Sequence, residues 1–433
     1  MKNRSSLALI VLLATTLAFA NLVSASVNSN RFSESFPASA CPSSSSGMTS
    51  TVSTGNKSTP FRRVAGKLSS FKPVQSSRYA IGADPILLDS ADLTAVVWQS
   101  FSGVWGGSTI CVSPEGEQWF IGGTGDVTSK GRLQLVNSGL SDATVDISVW
   151  SEGGEQSGKS LTIKANSAVF VRLDSLAPGQ KSLALKVSPR SGRVSAFMLD
   201  ERGKGLHSLG GDVINPVNSA ERELVIPAVP QQVGKEKTPL HLLRVLVPGD
   251  IDANIQVDLV SNDGTFTPLG LDNRLLKHGT VNDIALNPTV NAQVFALHIH
   301  SDQPIVAGVM SSLTFAGHRE FLWSSSAPQL TDMSLAINGL DPMLIFTGDL
   351  IKLKIETRLS DGKTKNSTVS GADVALWNAP KDAVKIRISA VSPGIFAAGI
   401  ISSASGIGYF PLMTGSSLTR AAIPISNIRV INR

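Results

Sequence analysis

Several short signatures of common enzyme chemistry are missing from the chain: there is no HExxH, GxSxG or GxGxxG sequence and no CxxC pair. The compact motifs of zinc hydrolysis, serine acyl transfer, dinucleotide binding and thiol redox chemistry are therefore missing. Catalytic triads and carboxylate pairs assembled from distant residues leave no such trace, so an unrecognised hydrolase ranks as a third reading behind two non-catalytic ones. No stretch of a dozen residues keeps a helical period. Beyond the N-terminus no apolar run approaches the roughly 20 residues needed to span a bilayer. Charged residues are sparse at 16% against 42% hydrophobic, a globular balance that excludes wholesale disorder. At 433 residues the chain exceeds what one hydrophobic core usually serves, so two to four domains are expected.

Cysteine is nearly absent, and the two that occur, Cys41 and Cys111, must be read with the N-terminus. Lys2 and Arg4 precede an apolar run from Leu7 to Ala20, followed by small residues at Ala18-Phe19-Ala20 and Val23-Ser24-Ala25 that suit a signal peptidase. Residues 1–25 are expected to be a signal peptide or N-terminal anchor, which places the mature chain outside the cytoplasm. An even cysteine count in an oxidising compartment suggests a Cys41–Cys111 disulfide. The competing idea, a lipid-modified Cys41, fits less well, because Ala stands where a lipobox has a larger aliphatic residue and the apolar run lies far upstream.

The formal charge of +5 divides unevenly: residues 1–25 carry +2, 26–35 carry 0, 36–83 carry +6 and the remainder −3. The positive stretch consists of Lys57, Arg62, Arg63, Lys67, Lys72 and Arg78 without an acid. Read as an arm, it would be drawn to anionic headgroups or wall polymers; the plainer reading is that it keeps a Ser-rich stalk soluble. An extracytoplasmic location argues against nucleic acid as partner. Residues 26–80 are rich in Ser, Thr and Gly and are expected to be a linker.

What the chain does contain is alternation, and the alternation repeats. Arg132 to Gly154, "RLQLVNSGLSDATVDISVWSEGG", is answered by Leu242 to Gly264, "LLRVLVPGDIDANIQVDLVSNDG"; with Leu133 set over Leu243, Gly139, Asp142, Ala143 and Ser151 fall on Gly249, Asp252, Ala253 and Ser261. In each copy every second residue is apolar, the pattern of a strand with one buried and one wet face. A weaker third copy begins with Leu350 to Gly362. The second halves, Leu183 to Glu201, Phe295 to Ser312 and Val384 to Ser403, repeat as strand, turn, strand. The fold expected is all-β: three tandem immunoglobulin-like β-sandwich modules over 81–228, 229–330 and 331–433, joined at the Pro-bearing segments Glu223 to Pro239 and Ser324 to Asp332.

Ahead of the first repeat, Cys111-x-x-Pro114, Trp119-Phe120-x-Gly122-Gly123 and Arg132-Leu-x-Leu-x-Asn137 resemble an actinobacterial-type family of secreted or membrane-anchored proteins catalogued as a domain of unknown function. The resemblance spans roughly 80–430, with its sharp motifs within 111–200. It implies an envelope protein and adds no chemistry.

Candidate site residues are few. His298 and His300 share a strand face, but the repeats place Lys186, Ser188, Arg387 and Ser389 in the same positions, which reads as an outward polar face. Asp142, Asp250, Asp252 and Asp263 could be imagined as calcium ligands, though Asp in turns serves backbone hydrogen bonding. No metal or cofactor is expected. A ligand face built from Trp105, Trp119 and Trp150, the last expected to point outward, is the best recognition candidate, with core packing as the alternative. The leading function is a non-catalytic cell-envelope scaffold or interaction module whose partner is an envelope polymer, the membrane surface or another envelope protein. The second is a carbohydrate-binding accessory protein of envelope polysaccharide assembly.

Overall fold

The computed structural model describes residues 38–415, apart from 90–92, 102, 205–206, 232–240, 289, 291 and 316–317, together with residues 14–15. But for those two residues, the signal segment expected at 1–25 lies outside the described residues, as do 416–433 and most of the Pro-rich joint after residue 231. Strand dominates: 62% of the described residues are strand, and between residues 38 and 415 they hold one short helix, Leu173–Leu176.

The repeated sequences fold alike because the same alternation is solved by the same pairing. Ala143–Ser151 and Ala253–Ser261 bury every second side chain. Each turns back at a Ser-x-x-Gly corner, where the Ser151 or Ser261 hydroxyl accepts a backbone N–H and Gly154 (φ 106°) or Gly264 (φ 111°) takes a backbone shape that a Cβ would strain. Each then pairs antiparallel with its second-half strand at equivalent positions: Ile147 with Val187, Val257 with Ile299, and Ile355 with Ile388 in the third copy. The copies differ in where the chain breaks. Val294–Phe315 is a single 22-residue strand serving two sheet regions, whereas the corresponding path in the first copy is split into Leu183–Ser191 and Val194–Lys204. In the third copy the first half is instead continuous, Met343–Leu359, with a register shift between Gly348 and Ile351.

Two expectations need correction. Residues expected as a linker form the strands Ser39–Cys41, Met48–Ser53, Pro60–Arg63, Lys72–Pro73 and Arg78–Ile81. Their Ser and Thr hydroxyls, which suggested solvation, are partly buried and bonded to backbone: Ser53 Oγ donates to Asn338 O at 2.8 Å and Thr59 Oγ1 to Thr54 O at 2.9 Å. The boundaries at 80/81 and 330/331 also fail to separate sheets. Arg78–Ile81, Met48–Ser53 and Thr94–Phe101 continue the sheet that contains Met333–Ala336 and Met343–Leu359, through a parallel pairing of Thr94 with Leu335 and Ala95 with Ala336. The last repeat therefore shares its sheet with the start of the described chain, and one apolar core joins Val96, Trp98 and Ile110 to Leu335, Phe346, Ile355 and Phe410.

Pro227 and Pro230, expected in a connector, lie within the strand Glu221–Pro230. Among the described residues it pairs with Val294–Phe315 alone, and its register shifts between Ile226 and Val229, the edge-and-bulge setting in which a strand tolerates proline.

Cys41 and Cys111 form a disulfide with Cα atoms 4.4 Å apart, and both are fully buried. The bridge closes a 70-residue separation, for which the chain-entropy model gives about 4 kcal/mol of stabilisation. The double variant Cys41→Ala/Cys111→Ala should lose stability of this order in denaturant unfolding of the oxidised parent and variant. An unchanged midpoint would show that the strands around Ser39–Cys41 hold without it.

Candidate functional site

The tryptophans proposed as a ligand face do not line a surface. Trp105, Trp119 and Trp150 are each at most 7% exposed. The alternation placed Trp150 correctly on the outer face of its sheet, but that face is covered: Trp150 stacks on Trp119, ring centroids 5.5 Å apart, and both pack against Leu246, Val281 and Val306 of the second repeat. Trp105 packs with Leu199 and Val213.

The basic segment is divided as well. Arg62 is buried, its Nη1 donating to Asn166 Oδ1 and its Nη2 to Ser138 O at 3.2 Å, so it clamps the N-terminal strands to the first repeat. Burial lowers its pKa. Arg78 donates to Gly339 O at 2.8 Å. Lys57, Arg63, Lys67 and Lys72 remain exposed.

Among the histidines, His300 pairs with Glu223 on the surface, and His298 is half-buried with burial lowering its pKa. His241 is buried, with Nδ1 2.9 Å from Ser311 Oγ and Nε2 3.0 Å from Gln231 Oε1, and burial lowers its pKa to about 4. The turn aspartates have a backbone role that repeats: Asp142 accepts the N–H of Ala165 at 3.0 Å, and Asp252 that of His278 at 2.9 Å.

What sequence reasoning missed is a buried polar junction where four sheet-edge strands meet: Trp105–Ile110, His207–Ile214, His318–Ser325 and Gly406–Pro411. Edge backbone groups cannot be left bare in an interior, and side chains take them. Asp212 accepts the N–H of Trp323 at 2.6 Å and of Val213 at 2.7 Å; Glu320 accepts those of Gly106 at 2.9 Å and Ile407 at 3.4 Å. Asn215 Nδ2 donates to Ser108 O and Tyr409 O, and the Tyr409 hydroxyl donates to Ser325 O at 2.6 Å. The approach is close enough that a Cβ on Gly406 would lie 2.2 Å from Gly106 N. Asp200 accepts the Trp323 indole N–H at 3.0 Å and pairs with Arg202. Beside them Arg244, 2% exposed at its side chain, forks onto Asp283 at 2.8 and 3.0 Å, donates to Gly123 O at 2.8 Å and lies over the Trp323 ring.

Burial drives the pKa of Glu320 up to about 7 and raises that of Asp212 well above its ordinary value, with the nearby Glu320 and Asp200 carboxylates adding to the rise at Asp212. Burial acts upward on Asp283 too, but Arg244 and the Ser182 hydroxyl outweigh it and its pKa is lowered. The motif residues that carry the family resemblance serve this packing. A Cβ on Gly122 would fall 2.6 Å from Ile214 and one on Gly123 2.5 Å from Met198, and Asn137 Nδ2 donates to Ser141 O and Ile163 O.

An open feature lies elsewhere, on the third repeat. A cleft of about 690 Å³ is lined by Asp332, Ser334, Glu356, Arg358, Lys385 and Arg387 on one side and by Ser39, Thr94 and Gly415 on the other. Its cations continue onto an outward sheet face, since Lys352, Lys354, Glu356 and Arg358 alternate with the buried Ile351, Leu353, Ile355 and Thr357.

The folded β-body with its glycine-packed junction defines an all-β protein. The chain belongs to a family of unknown function, DUF5719, whose model matches residues 92–375. No curated protein matches it. A crystal structure titled "Crystal Structure of Thermotoga maritima 1070" aligns at 16% identity over 23% of this chain and 93% of its own, with a TM-score of 0.21, a likeness too low to bear on fold or function.

Two outcomes are expected from the junction. Arg244→Ala should destabilise by about 3–5 kcal/mol in chemical denaturation, because Asp283 loses its charge partner in a mostly buried site. Glu320, whose pKa is raised by folding, stabilises fully below the unfolded value near 4.5 and loses that contribution as pH rises to about 7. The isosteric Glu320→Gln variant should match the parent near pH 4.5 and exceed it above pH 7 by at most about 3 kcal/mol; parallel stability curves would exclude an ionisable Glu320 as the cause.

Proposed function

We propose that the protein is a non-catalytic extracytoplasmic envelope protein, a β-scaffold that presents an interaction surface, built from three immunoglobulin-like units. The observation that carries the reading is the way the chain is closed upon itself. Strands near residue 94 share a sheet with strands near residue 335, a disulfide fixes Ser39–Cys41 to that sheet's neighbourhood, and Arg62 ties the same segment to the first repeat. Covalent closure of this sort suits an oxidising compartment. The repeated strand order supports the three-unit reading, and the buried acids at the junction are occupied by backbone hydrogen bonds. Recognition is then a matter of outer surface, and the cleft beside Arg358 and Arg387 is its open part.

The test is fractionation of cells that express the full chain, with N-terminal sequencing and thiol alkylation of the product. The expected product lies in the envelope or medium, begins after Ala20 or Ala25, and has no alkylatable cysteine. A cytosolic product with two free thiols would overturn the proposal.

A further inference from the structure

The solvent face of the third repeat's sheet carries a local concentration of positive charge. Lys352, Lys354 and Arg358 follow one another along one strand, and Lys385 and Arg387 lie on its antiparallel neighbour, where Arg358 is directly opposite Lys385 and Lys354 is opposite Ser389. All are exposed except the half-buried Lys385. Among the described residues none of the five is held in a salt bridge, and the carboxylates near them are Glu356, opposite Arg387, and Asp332 at the cleft. Like charges directly opposite on neighbouring strands are destabilising, and from residue 84 onward the chain as a whole is net negative. A counter-anion would relieve a cost that the fold itself leaves in place.

The geometry narrows what that anion is. Alternate residues on one strand are about 7 Å apart and neighbouring strands about 5 Å, so the cations form a band roughly 20 Å long that suits a polymer with repeated charge better than a single ion. The strand on the other side of Lys352–Arg358 presents Thr364, Asn366, Thr368 and Ser370 in register with Arg358, Glu356, Lys354 and Lys352. A row of hydroxyls and an amide beside a row of cations offers hydrogen bonds to sugar hydroxyls along with ion pairs to acidic groups. Arginine's fork matches a carboxylate in two bonds. The cleft at Arg358, Lys385 and Arg387 gives the band a concave end.

We infer that this face binds an acidic polysaccharide, a sugar polymer bearing carboxylates, laid along the strand Met343–Leu359 with its end in the cleft. The inference rests on the interaction-surface reading above and supplies its partner class, using residues other than the tryptophans first considered.

The test uses the full chain and polygalacturonate on beads. Retention is expected at low salt, with release at about 0.5 M salt, where the screening length falls to a few Å. The combined variant Lys352→Gln, Lys354→Gln, Arg358→Gln, Lys385→Gln and Arg387→Gln should lose affinity roughly ten- to hundred-fold, the scale of several exposed ion pairs, with a thermal transition no lower than the parent's. The matched variant Lys57→Gln, Arg63→Gln, Lys67→Gln and Lys72→Gln should bind as the parent does. Three results would each overturn the inference: no retention by the parent, equal retention of the combined variant, or equal affinity of the parent for inorganic polyphosphate or anionic phospholipid vesicles, which would make the face a general anion surface. Binding is read on the purified protein and compartment by fractionation, so the two proposals fail separately.

Discussion

A sheet that ends inside a protein must still satisfy the N–H and C=O groups along its last strand. Four such edges converge here, and backbone ladders do not join them all. Side chains supply the missing partners. Asp212 and Glu320 take N–H groups from Trp323 and Gly106, while Asn215 supplies donors to Ser108 and Tyr409. Everything else about the middle of the molecule follows from that arrangement. The strands can approach only where glycines leave room, and the acids must accept burial, with pKa values raised to match.

The same arrangement accounts for how the repeats relate to one another. In an isolated sandwich the outward residues of each strand meet water. Here the outer face of the first repeat meets the second through Trp119 and Trp150, and Arg244 of the second repeat reaches back to Gly123 and Leu183 of the first. Buried charge at such a contact contributes little net stability, but removing one partner leaves the other stranded. It fixes which surfaces may meet.

The sequence showed much of the local structure and little of its assembly. Period-2 alternation located Ala143–Ser151 and Ala253–Ser261 and assigned their inner faces correctly, since alternation is a property of one strand against one core. It put Trp150 on the right face and in the wrong medium, because whether an outer face is wet depends on strands more than a hundred residues away. The segment before residue 81 was misread for a related reason: Ser and Thr are as content in strands with bonded hydroxyls as in solvent, and composition cannot tell the two apart. The cysteines were legible because two of them allow a single pairing. Asp212 and Glu320 gave no signal, as single acids in ordinary strands, and Arg244 gave only the faint one of a cation amid "LLRVL". The cationic face was present in the third repeat's alternation as "IKLKIETR", yet its meaning required the register that sets Arg358 against Lys385.

The parallel pairing of Thr94 with Leu335 has a kinetic side. Contacts of such sequence separation are slow to form, because most of the loop entropy must be surrendered before they contribute. During synthesis the strand Thr94–Phe101 is made early and can find Met48–Ser53 and Trp105–Ile110 at once, but its first two residues, Thr94 and Ala95, wait for the third repeat to appear. For that interval the chain carries an unfinished sheet edge. An edge of only two residues, Thr94 and Ala95, is a poor template for the wrong strand while it waits.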